Sequence, residues 1–256
     1  MHRLRFIFFT ILLLLIGCNQ QAWFDKFVPK EEAEFSKRFL ALFASRDFAA
    51  IEQLLDPSLK DPEVRSKLQQ VADQFPPSPP VEVEVVGAHT FNSSQRAQYD
   101  LTFQYAYPEK WLLANVVLNK QDGRITVAGV HVNLLKDSLQ NINRFTFAGK
   151  GVVNFVFFAL AIAIPTFILV ALVLCVRTPI PRRKWLWIVF ILFGFVQFSL
   201  NWTVGSVNIT TLSFLLLGAG FAQAGPAAPY VFTVAIPLGA ILFFVKRRRW
   251  RAQNVG

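Results

Sequence analysis

Apolar residues recur at two different periods in the first half of the chain, and in the second half they run together. From Lys30 to Ala44, Phe35, Phe39, Leu42 and Phe43 fall three and four apart, the spacing of one helix face. Glu31, Glu32 and Glu34 occupy the first turn, where the helix dipole favours carboxylates. Asp47 is placed to cap a short second helix that Asp56-Pro57 ends. Asp61 and Pro62 open a third helix to Phe75, with Val64, Leu68, Val71 and Phe75 on one side. The run FPPSPP then forces extended chain.

Beyond it the period becomes two. Val81, Val83 and Val85 alternate with Glu82 and Glu84, and Tyr99, Leu101, Phe103, Tyr105 and Tyr107 alternate with polar neighbours. Residues 111–118 predict a third strand, and Asp122-Gly123 a tight turn into a fourth from Arg124 to Leu134. Three helices followed by about four antiparallel strands is an α+β order, expected over 30–148.

From Val152 the pattern predicts membrane. Residues 152–176 carry no charge and are long enough to cross a bilayer, with Pro165 expected to kink the helix. Further spans are expected at about 185–202 and 230–245, the former flanked by Trp185, Trp187 and Trp202 as interfacial aromatics. Residues 206–225 mix apolar positions with Asn, Thr, Ser, Gln and Gly, and read as an interfacial or re-entrant segment. Arg177, Arg182, Arg183 and Lys184, and then Lys246, Arg247, Arg248 and Arg249, set the topology by the positive-inside rule. The expected fold class is therefore an α+β extracytoplasmic domain followed by an all-α membrane domain, 149–256, of three transmembrane helices. The C-terminus is expected in the cytoplasm.

Charge supports that division. The formal net charge is +10, which suggests a nucleic-acid binder until its position is considered. All sixteen acidic residues lie between Asp25 and Asp137, and fourteen Lys and Arg meet them by Arg144, so that stretch is nearly neutral. The surplus flanks the apolar runs, and no nucleic-acid partner is expected. The expected spans contain no Asp, Glu, Lys, Arg or His, which argues against ion-coupled transport.

The N-terminus adds an address. Arg3 and Arg5 precede an apolar run from Phe6 to Ile16, and Leu15-Ile16-Gly17-Cys18 closes it. This arrangement resembles a bacterial lipobox. The resemblance implies removal of residues 1–17 as a signal peptide, a diacylglyceryl group on the thiol of Cys18, and a lipid-anchored tether over 18–29. It also implies the cytoplasmic (inner) membrane as location, with 18–148 on the periplasmic side. The only other cysteine is Cys175, so neither a disulfide framework nor a thiolate metal site is available.

The helices-then-sheet order, with the phrase RDFAAIEQLLDPSL at 46–59, resembles the nuclear transport factor 2-like superfamily, in which a bent sheet wraps a long helix. Such a cone hosts isomerases, dehydratases and pure binding modules, so it does not name an activity. Candidates for chemistry inside it are Asp100, His89, His131, Tyr99, Tyr105 and Tyr107. Asp100 has the opposite strand parity from the tyrosines, and the tyrosines read as a core stripe. His131 shares parity with Ile125 and Val127, so an inward orientation is open to it. No phosphate loop, metal spacing or nucleophile motif appears, so no catalytic residue, cofactor or metal is assigned.

The sequence thus points to an inner-membrane lipoprotein presenting a binding, sensing or assembly domain. Membrane lipid is its expected partner, with an unidentified membrane or periplasmic protein left open. Two alternatives remain: an enzyme acting on a small apolar or lipid-like substrate in the cone, and an accessory subunit of a membrane complex.

Overall fold

The computed structural model describes residues 26–93, 96–180 and 183–253, with side chains described as far as Arg247. The signal peptide, Cys18 and Arg182 lie outside the described residues, as do the side chains of Arg248 and Arg249. Contacts divide the chain into two compact units, one reaching Asn141 and including Gly225–Ala228, the other holding Ile142–Ala224 and Pro229–Gly256.

In the first unit, α1 (Lys30–Ala44), α2 (Phe48–Leu54) and α3 (Val64–Ala72) precede β1 (Glu82–Asn92), β2 (Ala97–Ala106), β3 (Trp111–Gln121) and β4 (Arg124–Leu135). The strands form an antiparallel meander in the order β1-β2-β3-β4. Asp47 caps α2, accepting from the Ala50 N–H at 3.0 Å. Phe39, Leu40 and Phe43 of α1 pack with Leu101, Phe103, Leu112, Ala114 and Val116 from the sheet, all fully buried. Lys120 on β3 ties the sheet to α1 through Glu31 and Glu32, both at 2.9 Å.

Two bulges set the faces. In β1 the register skips Val86, and in β4 Leu118 pairs Val127 while Val117 pairs Gly129, leaving Ala128 without a partner. The extra residue inverts the side-chain alternation of everything that follows it. Val127 and Val132 are therefore both buried although they lie five apart. His131 follows the bulge and is exposed, opposite Asn115, so the inward orientation that parity left open does not occur.

A short α4 (Leu139–Ile142) leads into the second unit, which begins with α5 (Val152–Arg177). This helix runs through Pro165 without interruption. Next come α6 (Lys184–Leu192), β5 (Phe193–Asn201), β6 (Val207–Leu216), β7 (Ala219–Gln223), β8 (Tyr230–Ile236) and α7 (Leu238–Gln253).

The expected fold class, α+β followed by three transmembrane helices, is overturned by this second unit. Among the described residues only α5 is long and apolar enough to cross a membrane. The span expected at 185–202 is a nine-residue helix followed by a strand, and that at 230–245 is a strand followed by the start of a helix. The segment 206–225 forms β6 and β7 rather than an interfacial or re-entrant loop. These strands form a second antiparallel sheet in the order β6-β5-β8-β7.

The physical reason lies in pairing. Aromatic and β-branched residues suit 230–236 to a pleated surface, but α5 and α6 are as rich in them as 193–201 and 207–216, and β5 is a strand because β6 and β8 pair along its two edges. An apolar run alone does not distinguish a buried strand from a helix. β6 and β7 lie at opposite edges yet are joined by Leu217-Gly218 alone. Three Cα steps span at most roughly 11 Å, less than the roughly 14 Å across a flat sheet of four strands, so this end of the sheet is curled. Gly218 has φ +65°, and a Cβ there would lie 2.8 Å from Ile164 of α5. The turn can pass over the helix only as glycine.

α5 meets its neighbours along one stripe. Asn154, Phe157, Ile168, Ala171 and Cys175 are its buried positions, and half-buried Ala161 and Ile164 continue the same stripe at spacings of three and four, with further half-buried residues at its margins. Toward the N-terminus the stripe packs on Leu200, Trp202, Phe232 and Val234 of the sheet. Toward the C-terminus it packs on Ile191 of α6 and Ala240 and Phe243 of α7. Val153, Phe155, Val156, Leu160, Ile162, Leu169, Val170, Val173 and Val176 point away from the unit, exposed and apolar.

Candidate binding cleft

A cleft of the first unit lies where two hairpin ends and a 3₁₀ turn meet. A meander places its odd-numbered turns at one end, so the β1–β2 turn (92–97) and the β3–β4 turn (121–124) are neighbours. The latter is Asp122-Gly123 with φ of +50° and +78°, positive at both central residues as a twisted two-residue hairpin requires. The 3₁₀ turn Pro57–Leu59 follows α2 and is drawn to the sheet by Leu55, which bridges to Val127, and by Asp56, whose N–H donates to the Val127 carbonyl at 2.8 Å.

Asp56 fastens this corner. One carboxylate oxygen accepts from the Ser58 N–H (3.1 Å) and hydroxyl (2.7 Å). The other accepts from the Thr126 hydroxyl (3.1 Å) and the Asn119 amide (3.4 Å). These donors, the Ser58 hydroxyl foremost, hold its carboxyl down at about 2. The residue is thus an ionised clamp with every acceptor position engaged.

The cleft measures about 680 Å³, and Lys60, Arg96 and Arg124 lie along its wall. Each comes from a different turn. Lys37, Arg46, Arg65, Lys67 and Lys120 all have carboxylate partners. Among the described residues, Lys60, Arg96 and Arg124 make no ion pair, nor do Lys30, Arg38, Lys110 and Lys136 elsewhere; what sets the three apart is that they line one cleft.

No family model matches this chain, and no curated protein matches it. The reading of the cleft therefore rests on its own chemistry.

The residues considered for chemistry inside the cone do not converge there. Tyr105 and Tyr107 are buried and stacked at 6.4 Å, with Phe75 edge-on to Tyr105 at 6.2 Å. Burial pushes both phenols up, so they stay protonated at neutral pH. Tyr99 is raised as well, by burial first and by the nearby Glu32 charge next. Asp100 accepts from the Asn115 amide on the opposite face of the sheet. His89 stands opposite Asp100, and His131 opposite Asn115. The sheet thus collects these polar groups in a row across its four strands on the face away from the core. No cluster of His, Cys, Asp and Glu that could hold a metal occurs among the described residues.

Sequence reasoning missed Lys60, Arg96 and Arg124 as a group. The available signal was topological: in a meander, turns one and three share an end.

Several basic residues of the second unit gather at the C-terminal end of α5, while Lys150, just before its N-terminus, donates to the Thr203 carbonyl at 3.3 Å. Lys184 donates to the Val176 carbonyl at 2.6 Å, and Lys246 lies 5.3 Å over the Trp187 ring. Arg177, at the last turn of α5, and Arg183, which precedes α6 with φ 53°, are at the same end.

Proposed function

We propose that this chain is a membrane-tethered binding module, displaying its first unit at the outer face of a bacterial cytoplasmic membrane. The carrying observation is α5: a helix of 26 residues whose one charge is Arg177 in its last turn, and which buries one stripe and exposes apolar side chains over much of its remaining surface. Such a surface is costly in water and suited to hydrocarbon. The shared end of Arg177, Arg183, Lys184 and Lys246 supports an inward-facing α5 C-terminus under the positive-inside rule. The lipobox resemblance at Cys18 supports a second, lipid anchor and a periplasmic first unit. The filled interior around Tyr105 and Tyr107 favours binding at the periphery over turnover inside the cone.

The alternative of a subunit in a membrane complex is favoured by one specific feature. β6 is an edge strand without charge and exposed on both faces, with Leu212 97% and Phe214 70% accessible. An open edge of this kind does not persist in lipid and is a ready site for strand pairing.

Palmitate labelling of wild type and Cys18→Ser in a bacterial host tests the reading, together with reporters after Gly256. Labelling should vanish in the variant, which should accumulate uncut, and a fluorescent C-terminal fusion should be active where a phosphatase fusion is not. Mature-size protein in the variant, or an active phosphatase fusion, would overturn the assigned anchoring and orientation.

A further inference from the structure

We infer that the cleft bounded by Lys60, Arg96 and Arg124 binds a phosphate-bearing anion. The inference rests on the binding-module reading and names the ligand class. Three cations from three separate turns line one concavity and make no ion pair among the described residues, the charge of Lys60 being felt only more weakly by Glu52. Two of them are arginines, whose planar forks take oxyanion oxygens in pairs.

Asp56 and Asp122 are the acidic residues lining the cleft. Asp56 is committed to Ser58, Thr126 and Asn119, and its charge is spread over four donors. Three positive groups against two negative ones, one of them already satisfied, leave a concave surface that focuses positive potential. A tetrahedral anion can be approached from three directions at once, whereas a carboxylate presents a single edge, so phosphate is the better match. At about 680 Å³ the space exceeds what a bare phosphate fills and lies in the range of small-molecule sites, roughly 300–1,000 Å³. The ligand is therefore a phosphoester with an organic part. It can come from solution or from an anionic lipid headgroup.

The full chain in a neutral detergent, titrated with glycerol 3-phosphate and separately with phosphatidylglycerol in mixed micelles, tests this. Saturable binding that weakens roughly tenfold or more in Arg96→Gln/Arg124→Gln, as loss of charge-assisted contacts requires, is the expected result. Affinity should also fall with added salt. Binding of glycerol 3-phosphate assigns a soluble source. Binding of phosphatidylglycerol but neither glycerol 3-phosphate nor phosphatidylcholine assigns the headgroup. Either outcome supports the site. Lys60→Gln, at an exposed position, is the second variant should the double one melt below wild type. No saturable binding of either probe, or binding that both variants leave unchanged, overturns the inference. The measurement needs neither lipidation nor a given orientation, so it fails or succeeds separately from the labelling and reporter results.

Discussion

Asn154 donates its side-chain amide to the backbone carbonyl of Trp202, 2.9 Å away and 48 residues further along the chain. It is a polar side chain buried at one end of an otherwise apolar helix. Trp202 is fully buried, with the rings of Phe145 and Phe232 each 4.9 Å from its own and its indole N–H on the Thr146 carbonyl at 2.9 Å. Asn154→Ala leaves that carbonyl without its amide donor and should cost about 1–2 kcal/mol. The expected readout is a lower melting temperature in detergent with red-shifted tryptophan emission. An unchanged melt would mean that the aromatic packing alone fixes Trp202.

Acid should loosen the first unit through Asp56. Its folded carboxyl is depressed from the ordinary 3.8 to about 2, so the folded state binds its proton less readily than the unfolded chain. The associated stability is complete above the unfolded value and is lost as pH falls through about 3.8 toward about 2. Melting temperature recorded against pH should drop in that window, and Asp56→Asn should flatten the drop. A variant curve parallel to wild type would assign acid sensitivity to other carboxylates.

Gly239 marks the tightest approach in the second unit. A Cβ there would sit 2.0 Å from the Phe190 carbonyl oxygen, so α6 and α7 come together backbone to backbone. Gly239→Ala must push the two helices apart and should cost about 1–3 kcal/mol, the usual penalty of overpacking. The check is detergent-solubilised stability, with Gly220→Ala, where the added methyl meets nothing within 4 Å, as the control.

Ser36 offers the opposite case. Its hydroxyl is fully buried in α1 and has no hydrogen-bond partner among the described residues. Ser36→Ala removes an unsatisfied polar group and should leave stability unchanged or raise it by up to about 1 kcal/mol. Chemical denaturation of the full chain would reveal a hidden partner if the variant proved weaker.

Where local chemistry decided the structure, the sequence was readable. The spacing of Phe39 and Phe43 and the acidic first turn marked α1, and Asp122-Gly123 marked its hairpin. Long-range choices were not readable in the same way. The bulge at Ala128 has no composition of its own, and it alone turns His131 outward. Phe193 to Asn201 satisfy their backbone groups against β6 and β8, partners far along the chain, so a window of local hydropathy reads them as helix. The cleft repeats this lesson. Lys60, Arg96 and Arg124 are unremarkable one by one, and only the meander order brings their turns to one end.

The stripe on α5 also gives the helix a phase. At 3.6 residues per turn, inserting one residue after Ile164 would rotate everything beyond it by roughly 100° relative to everything before. Phe157 could then keep its place on the sheet only if Ile168, Ala171 and Cys175 swung away from α6 and α7. Substitution of one apolar residue for another on the outward surface has no such effect. Shifts of reading phase, not changes of hydrophobicity, are the alterations this helix should tolerate least.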